Sequence, residues 1–343
     1  MASALTAQSG SAPTGDAASA RRPKIALARL RDLALIPPII IITIIGYFVD
    51  SNFLTRASMT DVLGSMAPIA MLVLAESLVL LTGKMDLSLE STFGLAPGIA
   101  AWLTLPKGIE HGTDLVPGAW AVPIALVIGA LIGAVNGLLI VRLGLNAFIL
   151  TLGGLIALRG LLTGVSHGQT FFGLTGSQMY LGSATWLGLP TSVWVVLIAF
   201  GFGMFALSRL RAGRSLYAIG GNVDAARAAG IHADRTVWIV LILASTLAAL
   251  AGIMQSGHLA SVTSNQGSGA IFQVFAAAVI GGISLNGGKG SLFGAFTGVL
   301  LLFLIQKVLT FAGVSGQWFD FLNGLVIVVV LIVQRVVTGR KDD

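Results

Sequence analysis

The chain has 343 residues, of which 55% are hydrophobic and only 10% charged, with no cysteine and a formal net charge of +6. Soluble domains carry about a quarter charged residues, so a water-facing globular fold is excluded, and the lack of cysteine excludes disulfides and thiolate chemistry. Uncharged runs at 33–49, 190–208 and 236–254 approach the roughly 20 residues that cross a bilayer core; being continuous rather than alternating, they predict an all-α polytopic membrane bundle and not a β-barrel.

Residues 1–30 read as a disordered cytoplasmic tail, rich in Ala, Ser, Thr and Gly up to position 20. The tail has no short apolar core of signal-peptide type, and its Ser/Ala/Arg composition has only a slight organelle transit-peptide character. A permease-like domain of about ten spans fills 31–337, with spans near 33–49, 62–82, 89–105, 119–140, 146–164, 190–208, 236–256, 270–283, 290–311 and 319–336. Outer loops then fall near 50–61, 106–118, 165–189, 257–269 and 312–318. The longest inner loop is 209–235, and 338–343 forms a short second cytoplasmic tail.

Charge placement fixes this orientation. Arg21, Arg22, Lys24, Arg29 and Arg31 precede the first span, and Arg335, Arg340 and Lys341 follow the last. With both termini inside, Lys84, Arg142, Arg209, Arg211, Arg214, Arg227, Arg235 and Lys289 also fall inside, whereas the outer loops hold only Arg56 and Lys107. This is the positive-inside asymmetry. The basic balance therefore reports topology rather than a nucleic-acid partner.

Two spans carry glycine at helical spacing: Gly129, Gly133 and Gly137, then Gly290, Gly294 and Gly298. Each set makes a smooth stripe for close helix packing where lipid supplies no hydrophobic drive. Pro97-Gly98 is expected to interrupt the third span, either as a kink or as a break lining a transport cavity. Gly83-Lys-Met-Asp-Leu-Ser resembles Gly281-Gly-Ile-Ser-Leu-Asn, a hint of internal duplication; an inverted repeat would put the two on opposite sides, and the span count puts both inside.

No P-loop of the GxxxxGK[ST] form is present, and Gly287-Gly-Lys-Gly-Ser291 reads as a tight inner turn. The histidines His111, His167, His232 and His258 lie in different loops without metal-ligand spacing, so no metal is expected. No catalytic constellation is legible, and any ATP must be hydrolysed by a partner. Glu76 is the one carboxylate deep inside a span; it can bind a polar solute, take up a proton or pair with a neighbouring helix. Asp86 and Ser88 can cap the helix that follows them or touch solute. Asn136, Asn146, Thr151, Arg159, Gln255, Gln273, Gln306 and Lys307 add polar groups in or beside spans. Together they favour an uncharged polar solute, although each alone also suits an interhelical hydrogen bond.

The polar island Tyr217-Ala-Ile-Gly-Gly-Asn-Val-Asp-Ala-Ala-Arg-Ala-Ala-Gly-Ile231 is a short helix-prone segment that needs a surface to lean on. With Gly83-Lys-Met-Asp-Leu-Ser, Asn136-Gly137, Phe148-Ile-Leu-Thr-Leu-Gly153 and Val279-Ile-Gly-Gly-Ile-Ser-Leu-Asn-Gly-Gly-Lys-Gly-Ser291, it resembles the membrane permease subunits of bacterial ABC importers for simple sugars, of the ribose/xylose/galactoside type. These segments occur in family order over roughly 33–336. The resemblance implies a type II importer-like bundle in the bacterial cytoplasmic membrane, working as a homodimer or with a similar permease. An extracytoplasmic solute-binding protein would serve its outer face, and separate ATPase subunits using ATP-Mg its inner face. This chain itself would bind no cofactor and carry no catalytic residue.

The island would then be the coupling helix. Gly220, Gly221 and Gly230 would set its turns, Asn222 would lie at its start, and Ala225, Ala226 and Ala229 would offer a close-fitting surface. Arg227 would pair with acidic residues of the ATPase. Glu76, Asp86, Ser88, Asn136, Asn146 and Gln273 are the candidates for the solute pathway. Departures from the family pattern include Lys84 and Glu90 near the Asp-Leu-Ser element, Asn146 where proline is common, Ile271 and Gln273 where an acidic pair is common, and Gln306-Lys307 in place of Asn-Gly. Permeases for nucleosides or branched-chain amino acids share this architecture and remain alternatives. So does a proton-coupled secondary transporter that uses Glu76.

Overall fold

Twelve α-helices make up nearly all the regular structure among the described residues. The structure, a computed structural model, describes residues 33–109 and 111–319 together with Phe321, Gly324, Leu325 and Val328. The helices are α1 (Ile36–Val49), α2 (Arg56–Leu81), α3 (Ser88–Thr104), α4 (Ala121–Arg142), α5 (Ala147–Val165) and α6 (Gly176–Ser183), followed by α7 (Thr191–Arg209), α8 (Arg211–Gly221), α9 (Val223–Ala228), α10 (Ala233–Leu259), α11 (Ala270–Ile280) and α12 (Leu292–Phe311). A two-residue hairpin, Thr185–Trp186 with Leu189–Pro190, joins α6 to α7.

Six of these helices are long and apolar enough to cross a membrane: α2, α4 with the 3-10 turn before it, α5, α7, α10 and α12. The expected count of about ten is therefore not confirmed among the described residues. Helices α1, α3 and α11 have 14, 17 and 11 residues, and most of the segment at 319–336, like the two tails, lies outside the described residues. At 1.5 Å per residue α11 extends only about 17 Å, roughly half of a hydrocarbon core.

The core is organised around α10, which packs against α4, α2, α3 and α6. On α4, Gly129 faces the Ser245 carbonyl and Ala249, Gly133 the Leu241 carbonyl, and Gly137 the Trp238 side chain, so any Cβ on that stripe would collide with α10. On α12, Gly294 and Gly298 lie against the carbonyls of Gly281 and Ala277 in the same way, whereas Gly290, expected on the same stripe, precedes the helix in extended positive-φ backbone against Ile283. Close backbone approach of this kind lets dispersion contacts accumulate along a whole helix.

Helix α3 runs through Pro97 without a break. Proline supplies no N–H to the carbonyl four residues earlier, which leaves Phe93 O open, and the Gln266 side-chain amide fills the vacancy at 3.1 Å. The same Nε2 donates to Gly252 O of α10 at 3.2 Å. Gln266 belongs to the segment 260–269, which the hydropathy pattern assigns to an outer loop. It instead turns back into the bundle: Val262 is fully buried, and Gln266 packs on the backbone of Gly94. Gly252 lies seven residues before the end of α10, so the segment descends about 10 Å before α11 begins. Irregular backbone at such depth is tolerated where protein or a cavity satisfies its polar groups.

Candidate functional site

One end of the molecule is a joint of two loops and the C-terminal end of helix α8. Gly83, Gly220 with Gly221, and Gly287 with Gly288 meet backbone to backbone, and the Gly288 amide donates to Leu81 O at 3.1 Å. Gly83, Gly287 and Gly288 have φ of +75°, +86° and +67°, a region glycine enters without penalty. The two similar segments beginning at Gly83 and Gly281 thus share one end with the polar island. Gly220 and Gly221 close helix α8 rather than forming a turn; Gly220 is small because Leu81 O and the Gly288 backbone press on it.

Helix α8 is amphipathic, burying Gly213, Leu216 and Ile219 while Arg211 and Arg214 stay exposed, and Tyr217 Oη donates to Gly290 O at 3.0 Å. Asn222 then caps α9, its Oδ1 accepting from Ala225 N at 2.9 Å. Gly230 ends the turn with φ of +81°. Within α9, Ala226 points into the core and is buried, whereas Ala225, Arg227 and Ala229 are exposed. Arg227 is paired within the chain, to Asp234 at 2.8 Å and Asp224 at 3.7 Å, and its hydrogen bond to Asp234 raises its pKa above the ordinary guanidinium value.

A second set of predicted residues forms a buried cluster where α2 passes into α3. The Asp86 amide donates to Glu76 Oε1 at 3.3 Å. Asp86 Oδ1 accepts from Ser88 N at 3.0 Å and from Ser88 Oγ at 2.5 Å, and Asn136 Nδ2 donates to Ser88 Oγ at 2.8 Å. Glu76, Asp86 and Ser88 are fully buried, and Glu76 Oε2 and Asp86 Oδ2 have no partner among the described residues. Asn146 stands apart, capping α5 through Ile149 N at 3.2 Å.

The third feature is a cavity of about 450 Å³, within the range of small-molecule sites. It lies where the inward-turning segment meets α2, α10, α11 and α12. Gln255, Asn265, Gln266, Gln273 and Gln306 line it with amides, Ser65 and His258 flank them, and among the described residues no Asp, Glu, Lys or Arg side chain takes part. Gln273 is the one residue of the predicted pathway set on its wall. Beside it, Arg159 of α5 forms an ion pair with Glu90 of α3 and donates to Ser268 Oγ at 2.6 Å. The second Glu90 oxygen accepts from Ile271 N, in the first turn of α11, at 3.0 Å.

In the sequence Glu90 stands out only as a departure from the family pattern, and Gln266 does not stand out at all. A paired signal was available in both cases: opposite charges in two apolar spans, and a proline whose absent N–H leaves an acceptor four residues earlier. Two of the histidines come together across their loops, the His111 and His167 rings lying 4.5 Å apart at a tilt of 44°.

The protein-family model described as "Branched-chain amino acid transport system / permease component" matches residues 58–331, a stretch that holds the joint, the cluster and the cavity. The chain belongs to this family. The permease is 36% identical over 294 residues to the Autoinducer 2 import system permease protein LsrC of Enterobacter sp. (strain 638), covering 85% of this chain and 83% of that protein. It is 33% identical over 312 residues to the Ribose import permease protein RbsC of Escherichia coli (strain K12), covering 88% and 92%. Against the Galactose/methyl galactoside import permease protein MglC of Salmonella typhimurium the identity is 29% over 341 residues, 94% of this permease and 99% of that one.

Proposed function

We propose that the chain is the transmembrane permease subunit of an ATP-binding cassette importer that carries a monosaccharide-type polar solute across a bacterial cytoplasmic membrane. Relatives named for import of autoinducer 2, ribose and galactose support the solute class. The observation that carries the mechanism is α9: a capped, mostly exposed helix that directly follows the glycine joint and is anchored to the core by the buried Ala226. It can transmit force from outside into α2, α8 and the turn before α12. In this reading ATPase subunits, which bind and hydrolyse ATP-Mg, dock on the α8–α9 end, and a solute-binding protein docks on the opposite end. A second permease copy completes the assembly, about ten spans cross the lipid, and both termini lie in the cytoplasm. The chain is a transport component and not an enzyme. Its solute passes by Gln273, while the Glu76–Asp86–Ser88–Asn136 cluster fixes the α2–α3 corner beneath the path.

ATP binding in the partners would bias the bundle between outward- and inward-open states only as far as docking distinguishes them energetically. Replacing 222–230 with a flexible linker of equal length should abolish co-purification of the ATPase and ATP-driven uptake. Undiminished uptake in that variant would remove α9 from the coupling path.

A further inference from the structure

Glu90 sets the charge selectivity of the half-helix cavity: we infer that the cavity admits neutral polyhydroxylated solutes and rejects carboxylates because the free end of α11 is already occupied by Glu90. The inference rests on the proposed transport reading and adds the chemical filter. A helix N-terminus opening at mid-bundle ordinarily attracts an anion, through its unpaired amides and positive dipole end. Here one Glu90 oxygen takes the Ile271 amide at 3.0 Å, and the other is neutralised by Arg159. Glu90 is only 3% exposed. A solute carboxylate arriving at this end would find the Ile271 amide already taken, and would add a second negative charge against the single positive charge of Arg159 in a poorly screened setting. Arg159 offers it less than a free guanidinium would, since its charge is already paired with Glu90 and one of its N–H groups is held by Ser268.

The remaining wall presents amides. Each amide pairs a donor with an acceptor and so matches a hydroxyl, which is both. Gln266 adds a more specific invitation. Its Nε2 is spent on Phe93 O and Gly252 O, while its Oε1 is buried without a partner among the described residues. A buried acceptor left unmade is costly, and a small shift of this amide toward the cavity that Gln266 lines would let a solute hydroxyl satisfy it. A zwitterionic amino acid would have to leave its carboxylate and ammonium unpaired among neutral amides, a large penalty. Discrimination by such unmatched groups is steep.

Because the chain has no native cysteine, a single Gln273→Cys substitution reports occupancy of the cavity through its alkylation rate with N-ethylmaleimide, measured on the full chain in lipid nanodiscs. D-ribose or D-galactose at millimolar concentration should slow alkylation several-fold, and D-galacturonate and L-leucine should leave it unchanged. In the Glu90→Ala background galacturonate should become protective. Glu90→Gln, which keeps an acceptor for the Ile271 amide, should do the same more weakly, and retained sugar protection in either variant shows an intact cavity. Protection by leucine or galacturonate with Glu90 present overturns the inference, as does protection by no sugar. Unchanged selectivity in both Glu90 variants overturns the role of Glu90. The transport reading fails separately: its sign would be absence of ATP-driven uptake by the complete importer carrying the unaltered chain.

Discussion

At the scale of single residues, Pro97 and Gln266 act as one unit separated by 169 positions of chain. The proline opens the Phe93 carbonyl, and the glutamine closes it while pinning the inward-turning segment to α3 and α10. Gln266→Leu should therefore cost about 1–3 kcal/mol, the usual penalty for stranding a buried acceptor. In a Pro97→Ala background the helix regains its own donor, so the same substitution should cost clearly less. Thermal unfolding of the four proteins in one detergent measures this cycle, and strictly additive effects would refute the link. Gly220 is a second residue-scale determinant. Gly220→Val would drive side-chain carbon into Leu81 O and the Gly288 backbone, and should lower the melting temperature and uptake together; a fully stable variant would mean that the joint is looser than its backbone contacts imply.

At the scale of elements, α9 is too short to persist alone and is held by its cap, its buried Ala226 and the Arg227–Asp234 pair. Asn222→Ala removes the cap, worth about 1 kcal/mol. It should weaken ATPase capture without lowering the melting temperature of the bundle, a result that pull-down and thermal unfolding on one preparation would separate. Arg227→Ala should have a smaller effect on folding, because an exposed pair contributes little.

Much of this level was legible in the sequence. Apolar runs placed α2, α4, α5, α7, α10 and α12, and glycine spacing marked the faces that α4 and α12 turn to their neighbours. Hydropathy could not distinguish the half-helix α11 with its inward-turning lead from a full span, since 260–269 is polar by composition yet is satisfied by distant partners such as Phe93 and Gly252. Nor could it show that Glu76, Asp86, Ser88 and Asn136 form one hydrogen-bonded cluster. That contact set depends on the turn between α2 and α3 folding back beside α4, which no local pattern encodes.

At the scale of the whole molecule, the polar features separate by depth. A glycine joint and an exposed amphipathic pair of helices occupy one end, a buried carboxylate corner lies within, and an uncharged amide cavity sits where a half-helix begins. Helices α2 and α10 pack against each other and run from the joint to the cavity, which makes them the proposed route for force applied at α9. The central claim is that an outside ATPase drives this bundle. The direct test is solute uptake into proteoliposomes holding the chain with or without its ATPase and binding protein, with ATP or a proton gradient as the energy source. The account predicts uptake only with the complete assembly and ATP, retained in Glu76→Gln. Proton-driven uptake by the chain alone, abolished by Glu76→Gln, would contradict it.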